Sequence, residues 1–156
     1  MDSKTLKKEL EELGKKYNLP IKELDKELEI SDLFLKRKEM PDFPIRAIRR
    51  KLVDNYLLWI NYLHSFTFPS SHSIVIAKEA DGFNEKEKNE MYRIISHLAK
   101  ATRESVIFEI KRDETKEADF VRENFENLKK IKKEIEKFAE KTIEFWKKES
   151  EKKDNE

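Results

Sequence analysis

The sequence contains no cysteine and only two glycines among 156 residues. Without cysteine the chain has no disulfide, no thiolate metal ligand and no thiol nucleophile. Two glycines are too few for the phosphate turns of a Rossmann or P-loop fold, and too few for a turn-rich β-sandwich. Long hydrophobic runs are missing too. The longest, Tyr56–Ile60, falls far short of the roughly 20 residues that a transmembrane helix needs. The chain opens on charge, MDSKTLKKEL, so no signal peptide is expected; the expected location is cytoplasmic, with no membrane partner. An excess of one sign is also lacking, because 34 Lys+Arg against 33 Asp+Glu leave a net charge of +1.

What is present is charge in bulk, 43% of all residues. Dense Lys and Glu without Cys is a heat-adapted pattern, since ion-pair networks cost less to desolvate at high temperature. The near-neutral total hides an uneven distribution. Residues 1–35 carry 7 basic and 9 acidic groups, residues 36–51 carry 7 and 2, residues 52–112 carry 8 and 8, and residues 113–156 carry 12 and 14. One segment is therefore strongly basic while both ends are mildly acidic.

Periodicity predicts helices throughout. Leu6, Leu10, Leu13 and Tyr17 recur at 4, 3 and 4, with Asp2 or Ser3 to cap them and Asn18 and Pro20 to end them. Ile21, Leu24 and Leu28 mark a short second helix, and Ser31 is the expected cap of a third over 32–39. Pro44 opens a longer helix with Ile45, Ile48, Leu52, Tyr56, Trp59 and Leu63 inward, ending near Phe66. A long connection, Thr67–Phe83, follows, with room for a helical turn. Asn84 and Glu87 form a capping-box pattern ahead of a helix facing inward with Met91, Ile95, Leu98, Thr102 and Val106. The last helix, capped by Asp113 or Thr115, carries Val121, Phe125, Leu128, Ile131, Ile135 and Phe138 and is expected to fray after Trp146.

The expected fold is all-α: an antiparallel helical bundle of three long helices plus short N-terminal helices. The expected organisation is a short-helix region over 1–40, a bundle over 41–150 and a polar tail over 151–156.

The basic segment is the first candidate site. It holds Lys36, Arg37, Lys38, Arg46, Arg49, Arg50 and Lys51, and the last three arginines fall at i, i+3 and i+4. Clustered cations neutralise phosphates, so nucleic acid is one expected partner and an acidic protein another. The same arginines have an internal alternative, pairing with acidic groups on the end helices. The N-terminal helix pair has the outline of a helix-turn-helix, but its second helix, with Glu23, Asp25, Glu27 and Glu29, is too acidic for a DNA groove. The near-heptad stripe of the last helix offers a homo-oligomer surface or closes the bundle itself.

Arg93 and His97 stand four apart in YRIISHL. The pair resembles HEPN-type ribonucleases, helical bundles that cleave RNA without metal, and the resemblance implies Arg93 and His97 as a catalytic pair. It departs from that family in its shorter spacing and in having Ile94 after the arginine. Phe68–Ser73 looks like the Pro-Ser-Gly-His piece of lipid-phosphate phosphatases, whose other motif elements are absent. Glu-x-x-His and His-Glu-x-x-His are absent as well, so no metal and no cofactor are expected. The reading with most support is a non-catalytic binding or adaptor module within a larger assembly. The alternatives are a nucleic-acid-backbone-binding subunit and the ribonuclease.

Overall fold

The computed structural model describes residues 2–37, 40–69 and 73–153, with every side chain in these spans except those of Arg37 and Lys153. The described residues form seven helices and no strand: α1 (Ser3–Tyr17), α2 (Ile21–Leu28), α3 (Ile30–Arg37), α4 (Pro44–Thr67), α5 (Ile74–Asp81), α6 (Glu85–Lys111) and α7 (Glu114–Lys153). The fold is all-α, with α4, α6 and α7 the three long helices. None of the helices is long and apolar enough to cross a membrane. The chain divides into two compact units, Met1–Tyr56 with Ala101–Asn127, and Leu57–Lys100 with Leu128–Glu156.

In the first unit the three short helices pack on one another. Asp2 caps α1 by accepting from the Thr5 N–H at 2.7 Å. Asn18 ends it in the left-handed conformation, φ 51°. Arg122, on α7, donates to the Tyr17 and Asn18 carbonyls at 2.7 and 2.9 Å, covering groups that a helix end leaves bare. Gly14 is needed for contact, not for φ: a Cβ there would lie 2.6 Å from Ile21 Cγ1 and 3.2 Å from the Leu19 carbonyl. Glu29, also left-handed at φ 53°, turns the chain so tightly that α3 restarts at Ile30. Ser31 is therefore not the expected cap. Its N–H and hydroxyl donate instead to the two Asp25 oxygens, at 2.7 and 2.6 Å.

The core of this unit is Leu6, Leu10, Leu24, Leu28, Ile30, Phe34, Ile45, Ile48, Leu52, Tyr56, Val121 and Phe125, all buried. Burying each such side chain contributes about 1.5–3 kcal/mol before the cost of ordering it. The Tyr56 hydroxyl is satisfied inside that core, donating to the Asn124 carbonyl at 2.6 Å. Burial raises its ionisation well above the usual tyrosine range, with the Glu123 charge adding to the effect. The turn from α6 to α7 has neither glycine nor proline. Arg112 takes the left-handed conformation, φ 52°, and the Asp113 side chain caps α7 by accepting from the Lys116 N–H at 3.1 Å.

The second unit is built around an aromatic series. Trp59, Tyr62, Phe66, Phe83 and Phe138 follow one another at centroid separations of 6.1, 5.1, 5.2 and 6.0 Å. The capping box at α6 is reciprocal: Glu87 N–H donates to Asn84 Oδ1 and Asn84 N–H to Glu87 Oε2, both at 2.9 Å. Glu87 also holds Lys141 of α7 at 2.7 Å, which lowers the Glu87 pKa, the backbone bond to Asn84 assisting. Arg93 meets Glu134 at 2.6 Å. The pairs 87–141 and 93–134 run in opposite senses, so α6 and α7 are antiparallel here. Residues 74–81 of the long connection form α5, capped by Ser73 and tied to α7 where Trp146 Nε1 donates to Glu79 Oε1 at 2.7 Å.

Two expectations about helix faces and ends are corrected. Val106 is exposed, and Ser105 turns inward in its place because Arg49 takes its hydroxyl and its carbonyl. α7 does not fray after Trp146. It runs to Lys153, supported by Ser150 Oγ donating to the Trp146 carbonyl and by the Glu149–Lys152 pair.

Candidate functional site

The start of α4 sits behind Pro41 and Pro44, with the Phe43 carbonyl accepting the first helical bond from Ala47 at 3.3 Å. This fixes the direction in which each basic side chain leaves the helix. Arg46 and Arg49 point inward and are only 8% and 1% exposed. Arg50 points outward.

The inward pair meets a carboxylate supplied by α7. Glu117 is fully buried and holds Arg46 Nη2 at 2.8 Å and Arg49 Nε at 2.9 Å. α6 supplies the rest. Glu109 takes Arg49 Nη2 at 2.6 Å and grips Arg50 bidentately, at 2.8 Å from Nε and 2.7 Å from Nη2. Arg49 Nη1 donates to the Ser105 carbonyl at 3.1 Å and to the Ser105 hydroxyl. The Arg50 hydrogen bonds, with Arg49 assisting, pull the Glu109 carboxyl down to about 2, and Glu109 in turn raises the Arg50 pKa. Three guanidiniums against two carboxylates leave one positive charge. That charge is cushioned by Phe43, whose ring lies 5.2 Å from the Arg46 guanidinium carbon.

Beside this network, within the first unit, lies a groove of about 410 Å³. Leu33, Pro41, Phe43 and Ala47 give it an apolar side, and Arg46, Arg50, Lys51, Asp42 and Asp54 a charged one. Two of its three cations are already committed to Glu117 and Glu109. Among the described residues, Lys51, Asp42 and Asp54 of the lining have no ion-pair partner.

The seven basic residues singled out in the sequence thus part company. Arg46, Arg49 and Arg50 come together, but as one internally paired network. Lys51 lines the groove and Lys36 is exposed at the end of α3. The Arg37 side chain and Lys38 lie outside the described residues. Spacing along the chain carried no sign of Glu109, Glu117 or Ser105, which arrive from other helices. Nothing in the spacing marked Phe43 and Ala47 as groove residues.

The second candidate pair lies in the second unit. Arg93 is held by Glu134 at 2.6 Å and Glu90 at 3.2 Å, and His97 is exposed one turn further along α6. His64 is exposed on α4, and Ser71 and His72 lie outside the described residues. Among the described residues no three His, Asp or Glu side chains gather as metal ligands would. The last-helix stripe is used inside the chain: Val121 and Phe125 are buried in the first unit, and Leu128, Ile131, Ile135 and Phe138 in the second. Comparison with protein families, curated proteins and solved structures finds no match.

Proposed function

We propose that the chain is a non-catalytic binding module that takes a protein partner in the groove at the start of α4. The observation that carries this reading is the commitment of Arg46, Arg49 and Arg50 to Glu109 and Glu117 beside a groove lined on one side by Phe43, Leu33, Pro41 and Ala47. A surface for nucleic-acid backbone needs uncommitted cations, because its affinity comes from displacing counterions. The groove has two aspartates for its one uncommitted lysine, which suits apolar side chains flanked by amide or cationic groups. The ribonuclease reading draws less support, since Arg93 would have to leave two carboxylates before meeting a phosphate.

The test is affinity capture from native extract with nuclease treatment in parallel. Ala47→Arg fills the groove at a position outside the paired network, and Phe43→Ala removes its ring, which also rests against Arg46. A partner retained after nuclease and lost from both variants is the expected result. Release by nuclease, or full retention by both variants, overturns the proposal.

A further inference from the structure

In a chain that is 43% charged, Asn55–Ala77 contains no Asp, Glu, Lys or Arg. Apolar residues on the helices of such a run are expected to face the core. Here much of the run faces outward. Leu58 on α4 and Phe68, the residue after its end, are 58% and 59% exposed, and Leu57, Asn61 and His64 are exposed as well. Leu57, Asn61, His64 and Phe68 recur at 4, 3 and 4, so they form one stripe along the helix. The His64 and Phe68 rings lie 5.1 Å apart, and Phe68 meets the exposed Tyr92 of α6 edge-on at 6.5 Å. On α5 the same run leaves Ile74 75% exposed. All of these residues belong to the second unit, whereas the groove belongs to the first.

Exposed apolar side chains in such a run mark an interface. The absence of charge selects its occupant. Helices that lie on membranes carry Lys and Arg along their polar edge, and this run has neither. A charged partner would find no counter-charge. In a two-fold contact each stripe meets its own copy, so any charge near the axis would face its like. A charge-free stripe avoids that penalty, and the cores of homodimer interfaces are apolar and depleted in charge. Antiparallel packing centred between Asn61 and His64 sets Leu57 opposite Phe68 and Asn61 opposite His64, where an amide and an imidazole satisfy one another.

We propose that the α4 stripe Leu57–Asn61–His64–Phe68, with Tyr92 beside it, is a self-association surface that packs α4 of one copy on α4 of another. The inference stands apart from the groove and its partner. Sedimentation of the full chain over a dilution series tests it first. The expected result is a dimer that dissociates on dilution, and a monomer for Leu57→Glu with Phe68→Glu, with the helical circular dichroism unchanged because both positions are exposed. A second measurement keeps the test clear of folding. The chain has no cysteine of its own, so Asn61→Cys places a lone thiol beside the proposed axis. Mild oxidation should link that variant into a dimer far faster than Lys8→Cys, whose side chain is 80% exposed on α1. Wild type that stays monomeric at its highest soluble concentration, or equal crosslinking of the two cysteine variants, overturns the proposal. So does a monomer that floats with phosphatidylcholine vesicles, which would assign the stripe to lipid.

Discussion

Glu117 is a carboxylate with no exposed surface, and two buried guanidiniums depend on it. Replacing it with glutamine leaves Arg46 and Arg49 charged in the interior with half their compensation gone. Breaking a buried pair in this way costs about 3–5 kcal/mol, so Glu117→Gln should lower the urea midpoint steeply. Arg50 faces solvent and its pair with Glu109 is screened, so Arg50→Ala should cost no more than about 1 kcal/mol. Equal losses in the two variants would contradict the assignment of inward and outward arginines. Glu109 adds a pH dependence. Its carboxyl titrates near 2 in the fold, against an ordinary 4.5, so the unfolded chain binds the proton first and stability falls with acid. The stabilisation is complete above about pH 5 and is lost as the pH drops towards 2. The stability gap between wild type and Glu109→Gln, measured by denaturant titration at several pH values, should therefore narrow across that window; a constant gap would show that Glu109 is not held by Arg50 and Arg49. The sequence offered pairing with an end helix as an alternative, but not the partners themselves. Arg46 and Glu117 stand 71 positions apart, and local spacing shows only that a residue is basic, not that a distant helix has neutralised it.

The elements themselves were largely legible, because their signals are local. The stripe Ile45, Ile48, Leu52, Tyr56 and Leu63 is buried throughout α4, and Asn84 with Glu87 closes the capping box that its spacing announced. Asn84→Ala removes one half of that box and should cost about 1 kcal/mol, read as a lower thermal midpoint. The misreadings have one kind of cause. Ser105 beats Val106 to the interior because a guanidinium from α4 needs its oxygens, and α3 starts early because Glu29 accepts a left-handed turn that favours glycine or asparagine. Gly14 shows the same dependence on a neighbour. In a free helix glycine-to-alanine is favourable by about 1 kcal/mol, yet here the new methyl would press on Ile21 at 2.6 Å, and Leu19 closes the other side. Gly14→Ala should therefore destabilise the chain in chemical denaturation, and Gly14→Ala with Ile21→Ala should lose less than the sum of the two single changes. Additive losses would mean that the cost at Gly14 does not arise from contact with Ile21.

At the scale of the whole molecule the question is what a net charge of +1 conceals. Segment counting located a basic stretch, but a segment is not a surface. Of the seven cations between Lys36 and Lys51, three are committed to Glu109 and Glu117, which lie in segments counted as neutral and acidic. Four cations at most remain to meet a polyanion. Counterion release turns this into a measurable slope, because each phosphate engaged on a single strand contributes about −0.7 to the change of log affinity with log salt. Seven engaged cations would give about −5, and four give no more than about −3. Fluorescence anisotropy with a labelled oligouridylate over a salt series should therefore return the shallow slope, with affinity at physiological salt at or below the weak end of non-specific binding, about 10⁻⁴ M. A slope near −5 would mean that the guanidiniums leave their carboxylates for phosphate. The buried position of Glu117 makes that exchange costly, since a carboxylate stripped of both arginines would stay charged in the core without a partner. A near-balanced composition thus conceals pairing across helices, which commits the most concentrated cations of the sequence to carboxylates, Arg46 and Arg49 inside and Arg50 at the surface, beside a groove with one apolar and one charged side.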